Sequence, residues 1–361
     1  MKLKMKFRII FRLKFNYISF EPICLALFFV FVLIGSSHSL SLQNGQANSV
    51  KTEHGKTPEE NRVRSSDQYE NVDQPASSVC FSGNNAFDFA SRMCAMGPRV
   101  PGTAGWKSCQ DLIETSLTGI GYQVERIPFT ISDNNGNSVN FVNIIAFPVM
   151  PSYSSTKNTT LILCAHYDTR PFAEKDTISP DTPISGANDG ASGTAVLLEL
   201  ARVLRTIPLE IKPVFIFFDG EDYGRGIQNM LHGSRNYVSR LSEAEIQKIR
   251  TVILLDMIGD RDLAIPMEPN SMDSDPQTMN EIWKTASELG VSQFKHFPGP
   301  RISDDHIPFH WRGIKAIDLI DFDYPHWHTT RDTIDKISGE SMAAVGKVLQ
   351  TYICKKWKRQ N

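Results

Sequence analysis

Apolar runs rich in β-branched and aromatic residues recur along the chain at Thr159 to Ala165, Pro213 to Phe218, Thr251 to Leu255 and Ala316 to Ile320. Their length and composition predict strands buried on both faces. Between and after them, apolar residues return with helical period at Gly193 to Leu204, Glu243 to Ile249, Thr278 to Leu289 and Gly339 to Lys355. Strands that alternate with helices predict an α/β fold with a mostly parallel central sheet and helices on both faces. No internal repeat interrupts this order.

Upstream the pattern changes twice. An amphipathic segment at Phe87 to Met93, a turn-forming stretch from Gly97 to Gly105 and a second helical pattern through Ile120 open the globular part near Cys80. Residues 40–79 are polar, with too few large apolar side chains to offset chain entropy, and read as a flexible linker. Residues 1–39 pair a basic stretch with the apolar run Ile23 to Ile34 and a small-residue tail. That is the layout of an export signal, with a retained single-pass anchor as the alternative. The expected organisation is therefore signal or anchor (1–39), linker (40–79) and one globular domain (80–361). Its expected location is secreted, periplasmic or in a secretory lumen, with membrane contact only through the anchor.

Charge removes one class of function. Six of the 38 basic residues but only one of the 40 acidic ones lie in 1–39, so the remainder carries 32 basic against 39 acidic side chains. An acidic body lacks the clustered Lys and Arg that neutralise phosphates, which excludes a nucleic-acid partner. Five cysteines remain after Cys24, without metal-type spacing, and one or two disulfides would suit an exported protein. Asn158-Thr159-Thr160 is a glycosylation sequon. The basic run Lys355 to Arg359 reads as a solvated tail.

The chemistry gathers at the strand ends. His166-Tyr167-Asp168 follows the first strand, Asp219-Gly220-Glu221-Asp222 the second, Asp256 ends the third, and a stretch from Tyr324 to His328 follows the fourth. A loop after the first strand adds Asn188-Asp189-Gly190-Ala191-Ser192-Gly193 and runs into a helix. In open parallel sheets ligands bind beyond the carboxyl ends of the strands, so these groups converge. A His, Asp and Glu set without cysteine suits catalytic zinc.

In order and strand context, His166-x-Asp168, Asn188 to Gly193, Glu221-Asp222, Asp256 and His328 resemble the metal-site signature of the M28-type zinc aminopeptidases. Asp304-Asp305-His306-Ile307-Pro308-Phe309 and Tyr324-Pro325-His326-Trp327-His328-Thr329 resemble the glutaminyl cyclase branch of that superfamily, over about residues 80–356. The resemblance implies a zinc-exopeptidase-like fold and a glutaminyl-peptide cyclotransferase that converts N-terminal Gln of peptide or protein substrates to pyroglutamate with loss of ammonia. It implies zinc held by Asp189, Asp222 and His328, Glu221 as proton shuttle, and Asp256 and Asp304 as the acidic cluster around it. Trp327 would wall the Gln side chain, and Asp318 would stand where animal cyclases place a His near the intermediate.

Departures from the animal enzymes include Asp222 where they carry Glu, and no counterpart of a second pocket tryptophan between Tyr223 and Met230. His166 and Asp168 either hold a second zinc or support the first structurally; one zinc is expected, because Asp256 and Asp304 resemble a proton-sharing pair. Two other functions fit the same frame: an aminopeptidase in which zinc-activated water cuts the first peptide bond, and a non-catalytic ectodomain.

Overall fold

In the computed structural model, which describes residues 79–133, 136–149 and 159–359, the four apolar runs form four adjacent strands of a six-stranded sheet. Helices α1 (Gly83–Ala95) and α2 (Ala104–Gly119) precede a long hairpin of β1 (Tyr122–Ser132) and β2 (Ser138–Pro148). There follow β3 (Thr160–His166), α3 (Gly193–Leu204), β4 (Lys212–Phe218), α4 (His232–Arg240), α5 (Glu243–Ile246) and β5 (Ile249–Asp256). A two-stranded unit of β6 (Ile265–Met267) and β7 (Phe294–Pro298) flanks α6 (Pro269–Ser274) and α7 (Pro276–Glu288). Last come α8 (Ile307–Trp311), β8 (Ala316–Ile320) and α9 (Gly339–Trp357).

The strand order is β1-β2-β4-β3-β5-β8; β4, β3, β5 and β8 pair in parallel, while β1 with β2 and β2 with β4 are antiparallel. Period-two alternation sorts each parallel strand between two cores. Leu161, Leu163 and Ala165 of β3 join α1, α2, α3, α7 and α9 on one face, and Ile162 and Cys164 join Val238 of α4 and Phe309 of α8 on the other. The expected mostly parallel sheet with helices on both faces is the fold.

From β3 the chain crosses to β4 on one side and then returns past β3 to β5 on the other. This reversal opens a crevice at the carboxyl end of β3, where His166 stands. At the floor of the crevice α3 packs very close to the sheet: a Cβ on Gly193 would lie 2.2 Å from the Leu255 carbonyl oxygen.

Some expectations change. The predicted helix from Glu243 to Ile249 is a single turn, held by a Ser242–Glu245 capping box, and Ile249 already belongs to β5. The basic run after Lys355 is no free tail: α9 continues to Trp357, Lys355 and Lys356 pair with Glu288 and Glu281 of α7, and Trp357 packs on Tyr352. Cys94, Cys109, Cys164 and Cys354 form no disulfide. The export segment, the linker up to residue 78 and Asn158 lie outside the described residues. No helix among the described residues is long and apolar enough to cross a membrane.

Candidate metal centre and carboxylate cluster

Each chemical group arrives on a backbone that its sequence shapes. His166 and Asp256 are the last residues of β3 and β5, and Glu221 and Asp222 sit in the turn after β4. Asp189 projects from a kinked turn, Ala187 to Ser192, in which Gly190 adopts φ 91°. A Cβ there would come within 2.6 Å of the Asp168 carbonyl, so the chain needs glycine to bring Asp189 beside His166. His328 itself has φ 55°, a left-handed conformation uncommon for a residue with a side chain. Such strain is held only where surrounding contacts enforce it.

Two three-residue groups result, each with ligand atoms within 4.8 Å of one another: Asp189, Asp222 and His328; and His166, Asp189 and Asp256. Asp189 belongs to both. Its Oδ1 lies 3.2 Å from His166 Nε2, and its Oδ2 lies 3.7 Å from His328 Nε2. His328 Nε2 is also 3.3 Å from Asp222 Oδ1, and His166 Nε2 is 3.3 Å from Asp256 Oδ1.

The donor set fits a cation. Asp189 Oδ2 and Asp222 Oδ2 are buried without a hydrogen-bond partner, a costly arrangement for charged oxygens unless a cation meets them. On the far side of the imidazole, His328 Nδ1 stands 2.9 Å from Glu174 Oε1. An Nδ1–H donated to that carboxylate leaves the Nε2 lone pair facing Asp189 and Asp222, the tautomer a metal requires.

Around this group the acids outnumber their partners. Glu221, Asp256, Asp304 and Asp305 are all buried. Burial, then the charges of Asp222, Asp304 and Asp305, push Glu221 well above the ordinary carboxyl range, against the pull of His166. Burial and the charges of Asp256 and Asp305 do the same to Asp304. Asp305, pushed up by burial to about 7, is partly held down by a 2.5 Å hydrogen bond from Ser234 Oγ. So many neighbouring carboxyls oppose one another's ionisation, which favours retention of protons within the cluster.

The remaining candidates fall in different layers. Asp168 lies in neither three-residue group; its two oxygens accept the backbone N–H groups of Glu221 and Asp222 at 3.2 Å, which fixes the turn that carries both. Trp327 is half-buried, its ring 4.0 Å from that of His328 and 4.7 Å from that of Phe322. Asp318, expected near the reacting atoms, has no accessible surface and lies behind them, 3.7 Å from His306.

Several supporting residues escaped the sequence reading. Glu174 sits against His328, as above, and Arg170 is buried with its guanidinium 2.6 Å from Asp222 Oδ1. Asp332 accepts the backbone N–H groups of Asn188 and Asp189 at 2.9 and 3.1 Å and the Tyr324 hydroxyl at 2.7 Å. Arg170 and Glu174 stand four apart near the His166 motif, the one faint signal among them; Asp332 lies in a loop with none.

Comparison with known proteins gives this constellation its context. The family model described as peptidase family M28 matches residues 148–353. The chain is 34% identical over 204 residues to aminopeptidase YwaD of Bacillus subtilis, covering 54% of this chain and 41% of that protein. The crystal structure of Porphyromonas gingivalis glutaminyl cyclase superposes with a TM-score of 0.71 at 33% identity, covering 76% of this chain and 99% of that one. A Zn-dependent exopeptidase from Parabacteroides distasonis gives a TM-score of 0.71 at 28% identity, covering 77% and 99%.

Proposed function

The chain belongs to peptidase family M28, and on that premise we propose that it is a zinc-dependent glutaminyl-peptide cyclotransferase acting on peptides with an N-terminal glutamine. Likeness to solved glutaminyl cyclases over nearly their whole length supports this. The observation that carries it is the buried set of Glu221, Asp304, Asp305 and Asp256, each raised above the ordinary carboxyl range, beside the Asp189, Asp222 and His328 group.

Asp189, Asp222 and His328 would hold zinc, which when bound supplies Lewis-acid polarisation of the substrate's γ-carbonyl. Glu221 takes a proton from the α-amine as its nitrogen bonds to the side-chain carboxamide carbon, Cδ. When the bond from that carbon to the side-chain nitrogen breaks, the same carboxyl returns the proton and ammonia leaves. A carboxyl raised by burial and like charges suits a group that both accepts and donates a proton near neutrality. Asp304 and Asp256 hold the shared protons that keep Glu221 in place, and Trp327 excludes water from the glutamine side chain. Passage through a secretory compartment belongs to the same proposal and rests on residues 1–39.

A second reading has one specific support. Asp189 turns a different oxygen to each three-residue group, as a ligand shared by two ions would. Two ions would suit hydrolysis by activated water, the aminopeptidase reaction. Purified protein incubated with a Gln-peptide and with leucine anilide decides between the two: ammonia without amino-acid release is expected. Amino-acid release without ammonia overturns the cyclase reading, and zinc per chain measured alongside tests the ion count.

A further inference from the structure

Glu268 is buried at the N-cap of α6, and the reaction described above makes no use of it. Its Oε1 accepts the N–H groups of Asn270 at 2.9 Å and Ile302 at 3.1 Å; its Oε2 accepts the N–H and hydroxyl of Ser271 at 2.6 and 2.7 Å. His306 Nε2 lies 3.6 Å from the same Oε2. A cap needs only a short acceptor such as Ser or Asp. The longer Glu reaches Ile302 and His306, the residues two before and two after Asp304.

His306 continues the line. Its Nδ1 is 3.7 Å from Asp318 Oδ2, and the Asp318 backbone N–H returns to Ser271 Oγ at 2.9 Å. Both separations at the imidazole lie beyond hydrogen-bond length, and neither buried nitrogen of His306 has a hydrogen-bond partner, so Glu268 and Asp318 are the polar groups that face it. Neither oxygen of Asp318 accepts a hydrogen bond although the residue is fully buried. An ionised carboxylate in that position is expensive, so Asp318 carries its proton and has it to donate toward Nδ1. The groups facing this line are Asp304, Asp305 and Asp256 on the site side, His310 of α8 beside His306, and the Cys164 thiol.

We propose that Glu268 is a positioning residue for Asp304: it fixes the backbone at Ile302 before that side chain by a hydrogen bond and faces the His306 imidazole after it, which stands between Glu268 and Asp318 behind the catalytic acids. The proposal rests on the reading of Asp304 as partner of Glu221.

Glu268→Ser keeps a capping oxygen for α6 but loses the reach to Ile302 and His306. Misplacing a group at the reacting centre by about 1 Å can cost about 100-fold in rate, so kcat for ammonia release is expected to fall about 10- to 100-fold, with KM and zinc content unchanged. His306→Gln, which retains a donor toward Glu268, is expected to keep most of the wild-type kcat, whereas His306→Asn is expected to lose it as Glu268→Ser does. Wild-type kcat in Glu268→Ser overturns the proposal, as does a joint loss of kcat, KM and zinc, which would mean a merely structural role. Equal kcat in the two His306 variants overturns it as well. Wild-type turnover judges the cyclase reading and the ratios between variants judge this one, so the two fail separately.

Discussion

At Glu221 one carboxyl must be a base in the first half of the reaction and an acid in the second, and its surroundings make that workable. Burial and the neighbouring acids raise its proton affinity, while the Asp168 cradle holds its backbone. Replacing it with glutamine keeps the shape and removes the titration: Glu221→Gln should lower kcat by about 100- to 10,000-fold while zinc content stays at the wild-type value. Metal analysis beside an ammonia assay checks this, and full activity in the variant would refute the shuttle role. Glu174 acts one layer out. Because it orients His328 through Nδ1, Glu174→Ala should weaken zinc binding by about 10- to 100-fold, measured by competition with a chelating dye. An unchanged affinity would mean that the strained His328 backbone alone sets the ring.

Among the elements, the central strands were legible because both of their faces are buried, which leaves a continuous apolar run in β3, β4, β5 and β8. The hairpin β1–β2 was not. β1 is an edge strand of mostly exposed and half-buried positions that carries Glu125 and Arg126, and β2, between β1 and β4, is buried from Asn143 to Ala146 but exposed or half-buried at its ends. Most metal-competent residues were visible because they stand at a strand end or in a turn beside one, whereas His328 lies in the loop well past β8 and was found through the Tyr324 to Thr329 motif. The roles of Glu174, Asp332 and Glu268 were hard to read because the partners that give them those roles lie far off in sequence, at separations of 154, 144 and 34 residues. The glycine that starts α3 has a consequence that can be measured. A methyl group on Gly193 would be driven into the Leu255 carbonyl, so Gly193→Ala should destabilise the fold by about 1–3 kcal/mol and displace Asp189 with it. Chemical denaturation gives the first effect and zinc affinity the second; a variant as stable as wild type would show that α3 can slide away from the sheet.

For the molecule as a whole, the crowded acids make stability depend on both metal and pH. Asp305 and Asp332 are each raised from 3.8 to about 7, burial being the largest cause. A carboxyl raised in the folded state stabilises it fully below its unfolded value and loses that contribution as pH climbs through the folded one, here between about 4 and 7. Glu221, Asp304 and Asp318, also raised well above the ordinary carboxyl range, act in the same direction. Glu268 has the opposite sign: against the cost of burial, the nearby His306 imidazole and hydrogen bonds from Asn270 and Ser271 hold it at about 2, so its contribution is lost only below 4.5. His306, lowered chiefly by burial, also runs against the trend, as a single group. The chelated protein should therefore melt at a lower temperature at pH 8 than at pH 5. A divalent cation placed among Asp189, Asp222 and His328 lowers the proton affinity of every neighbouring acid. The zinc-saturated protein should accordingly show a smaller fall over the same range, as well as the higher Tm that ligand binding confers. Calorimetry at the two pH values with and without chelator tests both. A chelated protein that grows more stable toward pH 8 would mean that these acids are already ionised and paired, and that the crowding inferred around Glu221 is not what the cation relieves.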